Sequence, residues 1–244
     1  MSSNLLKKNI IITKSTQKRL IKDIVNLIKE PLTDQGIYYI HDEVNILKGY
    51  AMIIGPSKTL YSDGFFFFSF NFPYNYPFAP PKVIYQTNGD GIRFHPNLYK
   101  NGKCCLSILN TWRGEQWTSC QSIKTILLTL VTLFNNKPLL GEPGFKETSS
   151  DFIPYNKIIE YKVIDIAILD IISKKRIHEV FLSFYTFIKT HFEKEYNNIM
   201  NRIEKKIEKL KGSIELCTVS VYKMEILINY SKLKEKMEKI EINK

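Results

Sequence analysis

Four short apolar segments between residues 36 and 86 constrain the fold of this chain more than any other feature. They read GIYYI, ILKGYAMIIG, GFFFFSFNF and PKVIYQ, and residues that favour turns separate them. Consecutive strands with such short connections pair most easily as an antiparallel meander. Because alternate residues of a strand share a face, we expect one buried aromatic stripe, formed by Phe66, Phe68, Phe70 and Phe72.

Helical patterns lie on both sides of these strands. Apolar residues recur at helical spacing over 15–30, and Pro31 ends that segment. Downstream, a Thr-x-x-Gln capping box at residues 118–121 is predicted to start a second helix. Further helical patterns cover 155–172, 177–210 and 221–240. One helix, a meander and then more helices predict an α+β fold.

The length of 244 residues is enough for one sizeable core with an appended subdomain. We predict an N-terminal tail (1–14), a core domain (15–175) and a C-terminal helical extension (176–244). No apolar run approaches the roughly 20 residues of a membrane span, and the N-terminus lacks the features of a signal peptide. A cytoplasmic or nuclear protein without membrane association is therefore expected.

Charge and cysteine content limit the classes of function. The formal charge of +11 is spread along helical patterns in which lysine alternates with glutamate, which is typical of a solvated basic surface. A nucleic-acid-binding protein is a weaker alternative, because basic and aromatic residues are not interleaved. The four cysteines include an adjacent pair that suits a reducing compartment, and no metal-ligand spacing is found, so we predict no metal.

The most informative segment for chemistry is FHPNLYKNGKCCLSIL, at residues 94–109. In an extended segment, Cys104 shares a face with Leu106 and Ile108, so Cys104 is expected to be the buried thiol and Cys105 the accessible one. The turn signal Asn101-Gly102 can fold the chain back and bring Asn97 close to Cys105.

A thiol beside an amide donor favours acyl transfer, because the amide can stabilise the oxyanion that forms on an attacked carbonyl. A core cysteine without chemistry is the alternative for Cys105 alone. A Cys/His hydrolase with His95 as base is disfavoured, because only one proline separates His95 from Asn97 and a shared orientation towards the thiol is unfavourable. A thiol without a dedicated base suits exchange between thioesters.

These residues resemble the ubiquitin-conjugating enzymes. The His-Pro-Asn element is followed, eight positions after Asn97, by Cys105, which is the spacing of that family's catalytic cysteine. The runs IIGPSKTLYSDGFFFFSFNFPYNYPFAPPKV and TWRGEQWTSCQSIKTILLTL are also similar to family segments, and the resemblance extends over residues 18–175. The segments LSILNTWRGEQW and NKPLLGEPGF resemble the long Z-type members and the conjugating domain of the giant apoptosis-inhibitor ligases.

The resemblance implies the ubiquitin-conjugating fold, with a four-stranded antiparallel meander and flanking helices, and a transferase that works through a thioester intermediate. Cys105 would accept the C-terminus of ubiquitin from an activating enzyme, and a substrate lysine would then attack the thioester. Asn97 would support the oxyanion or the nearby loop, and Glu142 would orient and desolvate the lysine amine. His95 and Trp117 would lie at the rim of the active site.

The resemblance also implies partners. The activating enzyme would bind Lys18, Arg19 and Lys22, and a ligase would bind Phe72 and the loop at Thr118 and Ser119. Protein substrates and ubiquitin complete the set; no cofactor is implied, since the activating enzyme uses the ATP. The alternatives are a non-catalytic ubiquitin-binding adaptor of the same fold and a conjugating enzyme for another ubiquitin-like modifier.

Overall fold

A computed structural model describes residues 12–240 of the chain. The core contains helix α1 (Lys14–Lys29), strands β1 (Ile37–His41), β2 (Lys48–Ile54), β3 (Phe65–Asn71) and β4 (Lys82–Tyr85), and helices α2 (Ile123–Thr132) and α3 (Phe152–Lys162). A π-helical segment, Val163–Asp170, continues α3. The extension contains a 3₁₀ segment (Glu179–Phe184), helix α4 (Tyr185–Lys209), strands β5 (Glu215–Val219) and β6 (Met224–Ile228), and helix α5 (Tyr230–Glu238).

The four core strands form an antiparallel sheet in sequence order, β1-β2-β3-β4, and the predicted meander and α+β class are confirmed. Helix α1 begins at Lys14 because the Thr13 side chain caps it and accepts a hydrogen bond from the backbone of Thr16. It ends at Lys29, as Pro31 predicts. The proposed tail at residues 1–14 lies mostly outside the described residues.

Both faces of the sheet are buried. The predicted stripe is confirmed, since Phe66, Phe68, Phe70 and Phe72 are all buried in the core. On the opposite face, the ring of Phe67 stacks on Phe181 of the extension with centroids 4.6 Å apart. The extension therefore covers a face of the sheet that would otherwise expose aromatic side chains to water.

Helix α2 begins later than its predicted cap. Ser122 caps it, and Thr125 completes the capping box by bonding back to the Ser122 backbone. The residues of the expected box form a turn instead, in which the amide of Gln121 donates to the carbonyl of Thr118. Two candidate boxes overlap in this sequence, and the one next to the first buried residue of the helix, Ile123, prevails.

The C-terminal extension is largely helical, as expected, but it contains a β-hairpin that the helical interpretation of residues 221–240 missed. Strands β5 and β6 pair antiparallel, with Val219 opposite Met224. In both strands buried residues alternate with more exposed ones, as expected for strands with one face on the core, and β5 lies between the two predicted helical segments 177–210 and 221–240. Helix α5 begins after Asn229, whose side chain caps it. Within residues 12–240, no helix is both long enough and apolar enough to cross a membrane.

Candidate active site

The segment that carries the adjacent cysteines folds back on itself as predicted. Gly102 adopts a left-handed conformation with φ of 85°, which favours glycine, and its amide donates to the carbonyl of Tyr99. Leu98 then pairs with Cys104 in a short antiparallel bridge. This turn brings the backbone amide of Cys105 within 2.8 Å of the carbonyl oxygen of Asn97.

The side chain of Asn97 also bonds to the cysteine segment. Its Nδ2 donates to the backbone carbonyl of Cys105 over 2.6 Å, so the amide stabilises the loop in this structure. Gly141 lies on the other side of this side chain: a Cβ at Gly141 would sit 3.4 Å from Asn97 Oδ1 and 3.6 Å from the ring of His95. The loop that contains Gly141 thus packs directly against the His-Pro-Asn element.

The two adjacent thiols occupy different environments. Cys104 is 2% exposed and belongs to the contiguous hydrophobic core, and desolvation raises the pKa of its thiol to about 12. This confirms Cys104 as a small buried hydrophobe. The expected accessibility of Cys105 is wrong, because it is only 3% exposed. Cys105 nevertheless lies outside the contiguous hydrophobic core.

His95 was expected at the rim of the active site, but it is buried. Its Nδ1 accepts a hydrogen bond from the backbone amide of Asn97 over 3.0 Å. Burial, together with the nearby positive charge of Arg93, lowers the pKa of His95 to about 3. A neutral imidazole whose Nδ1 is engaged by the backbone is a structural acceptor, so a Cys/His hydrolase has no support here.

Glu142 follows Gly141 at the edge of this site and is half-buried. Its Oε2 accepts a hydrogen bond from the hydroxyl of Tyr222 over 2.5 Å. Tyr222 lies in the turn between β5 and β6, so a residue of the extension contacts the carboxylate expected to orient the lysine amine. Sequence reasoning missed Tyr222, because 80 residues separate it from Glu142.

Two aromatic residues expected at binding surfaces lie in the interior. Trp117 is buried and donates from Nε1 to the carbonyl of Pro77 over 2.7 Å, so it is packed beneath the expected rim. Phe72 is 4% exposed and packs on Tyr76, and it cannot present a surface to a ligase. In the same loop, Phe78, next to Pro77, is 75% exposed and Tyr74 is 55% exposed, so both rings face solvent.

The residues expected to bind the activating enzyme divide into two groups. Lys18 and Lys22 are exposed on α1, and their role remains a prediction. Arg19 is engaged within the molecule: it bonds to the buried carboxylate of Asp23 and donates to the carbonyl of Ser119 over 2.5 Å. Arg19 therefore fixes the loop before α2, in which the side chains of Thr118 and Ser119 are exposed.

Comparison with known proteins is consistent with this site. The family model described as ubiquitin-conjugating enzyme matches residues 19–157. Ubiquitin-conjugating enzyme E2 Z of Homo sapiens is 40% identical over 160 residues, which cover 64% of this chain and 45% of that protein. The Danio rerio protein of the same name is 39% identical over 160 residues, or 64% of this chain and 48% of that protein.

A Caenorhabditis elegans protein named "Probable ubiquitin-conjugating enzyme protein 17" is 38% identical over 176 residues, which cover 66% of this chain and 24% of that protein. The chain thus spans less than half of the length of these three relatives. The matched region contains the sheet, the His-Pro-Asn element and Cys105. The chain belongs to the ubiquitin-conjugating enzyme family.

Proposed function

We propose that this protein accepts ubiquitin as a thioester on Cys105 and transfers it to a substrate lysine. The observation that carries the proposal is the double attachment of Cys105 to Asn97. The backbone amide of Cys105 donates to the Asn97 carbonyl, and the Asn97 side chain donates to the Cys105 carbonyl. These two bonds keep the Asn97 carboxamide beside the backbone of the residue that carries the thiol, and an amide donor near that thiol would stabilise the oxyanion of acyl transfer.

The chemistry has two steps. In charging, the thiolate of Cys105 attacks the carbonyl carbon of the thioester on the activating enzyme; a new C–S bond forms, and the cysteine of the activating enzyme leaves as a thiolate. In discharge, the lysine amine attacks the same carbonyl carbon, a C–N bond forms, and Cys105 leaves as a thiolate while the amine loses its proton. Because only 3% of Cys105 is exposed, charging requires a displacement of the groups that cover its sulfur.

Asn97 and Glu142 have separate roles in this proposal. The amide of Asn97 leaves the Cys105 carbonyl and donates to the oxyanion of the tetrahedral intermediate. Glu142 follows Gly141, which packs against Asn97, so Glu142 lies on a segment that borders the His-Pro-Asn element. In this proposal the lysine amine approaches Cys105 along that segment. A carboxylate there orients the amine and accepts its proton as the C–N bond forms. Lys18 and Lys22 provide the exposed positive charge that an acidic surface of the activating enzyme would contact.

A charging assay tests the proposal directly. The protein is incubated with activating enzyme, ATP and ubiquitin, and the adduct is resolved with and without reductant. We expect a reductant-sensitive adduct that Cys104→Ala retains and Cys105→Ala loses. Cys105→Ser should form a slower, reductant-resistant oxyester, since an alkoxide is harder to generate than a thiolate. Loss of the adduct in Cys104→Ala but not in Cys105→Ala would refute the assignment.

The same assay covers the other candidates. The low exposure of Cys105 would also fit a non-catalytic adaptor of the same fold, which would bind ubiquitin without forming an adduct. Parallel reactions with ubiquitin-like modifiers and their own activating enzymes identify the modifier. A ligase is expected to bind the surface formed by Phe78 and the exposed side chains of Thr118 and Ser119, because these groups lie on two loops that Trp117 joins.

A further inference from the structure

The turn of the C-terminal hairpin, Ser220–Lys223, packs against two loops of the candidate active site. Tyr222 in this turn is buried, and its hydroxyl donates to Oε2 of Glu142 over 2.5 Å. Its backbone carbonyl accepts a hydrogen bond from Nζ of Lys100, over 3.0 Å, in the loop between Asn97 and the cysteines. Tyr222, a residue of the extension, therefore contacts both Glu142 and the loop that leads to the cysteines.

The ring of Tyr222 is fixed independently of its hydroxyl. Its centroid lies 5.7 Å from that of Tyr155 and 4.7 Å from the guanidinium of Arg93. The hydroxyl of Tyr155 in turn donates to the Arg93 carbonyl over 2.8 Å, two residues before His95. These contacts would persist if only the phenolic oxygen were removed, so the effect of the hydroxyl can be separated from that of the ring.

Asp151 anchors the turn from the opposite side. Its carboxylate is buried and accepts hydrogen bonds from the backbone amides of Ser220, over 3.0 Å, and Val221, over 2.9 Å. Charged hydrogen bonds of this kind are stronger than neutral ones and set the position of the turn. The contacts of the ring and the anchored backbone of the turn thus together fix the position of the Tyr222 hydroxyl.

We propose that Tyr222 is a positioning residue, which holds the Glu142 carboxylate in the orientation that receives the lysine amine. This inference rests on the proposed transfer from Cys105. Glu142 follows a glycine in the chain and is only half-buried. Without the Tyr222 hydroxyl as a donor, its side chain would sample several rotamers. Burial, followed by the hydrogen bond to Glu142, raises the pKa of Tyr222, so the phenol remains a donor throughout the range in which lysine is modified.

The proposal predicts that the two steps respond differently to Tyr222→Phe. Charging involves no amine, so the variant should charge at the rate of the unmodified protein. Discharge to free lysine should be slower by roughly 10-fold at saturating lysine, as expected when a hydrogen bond to a charged group is lost from the transition state. The lysine concentration at half-maximal rate should change by less than about twofold, because binding of the amine is not the affected step.

The experiment measures the loss of purified thioester against lysine concentration in Tyr222→Phe, Glu142→Gln and the double variant. If Tyr222 acts through Glu142, the double variant should be no slower than Glu142→Gln alone. Tyr161→Phe is the matched control, because it removes a phenol that bonds to the Asn229 carbonyl elsewhere in the extension. It should discharge normally.

Several results would overturn the inference. Normal discharge by Tyr222→Phe would show that the hydroxyl positions nothing. An additional loss in the Glu142→Gln background would show that the hydroxyl acts on a group other than Glu142. An equal loss in charging and discharge would show that the substitution disturbs the fold of the site. If the unmodified protein forms no thioester on Cys105, the proposed function fails and the inference fails with it, whereas normal charging with unaffected discharge refutes the inference alone.

Discussion

The side-chain amide of Asn97 lies 2.6 Å from the backbone carbonyl oxygen of Cys105 and donates a hydrogen bond to it. The same amide cannot bond to this carbonyl and to a substrate oxyanion with full strength. Asn97 therefore has a structural role in the uncharged protein and a catalytic one in the proposed transfer. Substitution should affect both roles, and the two effects can be measured separately.

Asn97→Ala should slow discharge to lysine by roughly 10²-fold, because an oxyanion donor is lost. It should lower the free energy of unfolding by only about 1 kcal/mol, the usual net contribution of one hydrogen bond. Single-turnover discharge and urea unfolding measure the two effects. Asn101→Ala is the control, since Asn101 accepts from the Lys103 amide in the same turn without contacting Cys105. Equal discharge in both variants would assign Asn97 a purely structural role.

Cys104→Ser should destabilise the protein without abolishing charging. The substitution places a hydroxyl among core side chains, which costs about 1–3 kcal/mol when the hydroxyl is poorly bonded. Chemical denaturation gives the free energy of unfolding, and Cys120→Ser is the control because Cys120 is exposed. A Cys104→Ser protein that is stable but cannot be charged would contradict our assignment of the two thiols.

His95 should make the protein less stable in acid. Its pKa is depressed to about 3 in the folded state, and an unfolded histidine titrates near 6.5. Unfolding therefore takes up a proton between these values, and this stabilising contribution, complete above pH 6.5, is lost as the pH falls towards 3. Between these two values, the contribution of His95 to the free energy of unfolding falls by up to about 1.4 kcal/mol for each pH unit of acidification. Urea unfolding between pH 7 and 4.5 should show a smaller slope in His95→Asn, while His178→Asn, at an exposed histidine, should retain it.

Phe72 and Phe78 should give opposite results when replaced by alanine. Phe72→Ala removes a buried ring and should cost about 3–5 kcal/mol. Phe78→Ala, at an exposed ring, should change the free energy of unfolding by less than about 0.5 kcal/mol and should leave charging intact. It should nevertheless weaken ligase-stimulated transfer, measured by titration of a cognate ligase. Unchanged stimulation would remove Phe78 from the ligase surface.

Asp151→Asn should loosen the hairpin turn. Two backbone donors lose a charged acceptor, and the expected cost is about 1–3 kcal/mol. Hydrogen exchange at the amides of Ser220 and Val221 should become faster, and mass spectrometry of the corresponding peptides measures the change. Asp42→Asn is a matched control, because Asp42 accepts from two backbone amides in the β1–β2 loop. It should leave exchange in the hairpin unchanged.

The sequence predicted the parts of the fold that depend on local spacing. The four strands, helix α1 and the turn at Gly102 were each predicted from residues close together in the chain, and the structure confirms them. The proximity of Asn97 and Cys105 followed for the same reason, since a single turn connects them. The helix start before α2 was misplaced because two capping patterns overlap, and only the packing of Ile123 selects one.

The chain by itself determined the order of elements and brought the carboxamide to the cysteine, since period-two and helical patterns and a glycine turn are properties of neighbouring residues. Only the tertiary structure decided how far several of the expected site residues are exposed to water. Phe72, His95 and Cys105 are all buried in the folded protein, although each was expected at a surface, and Glu142 acquires its hydrogen-bond donor from a hairpin 80 residues downstream. Burial and long-range pairing depend on how the elements pack together, and no local pattern specifies that packing.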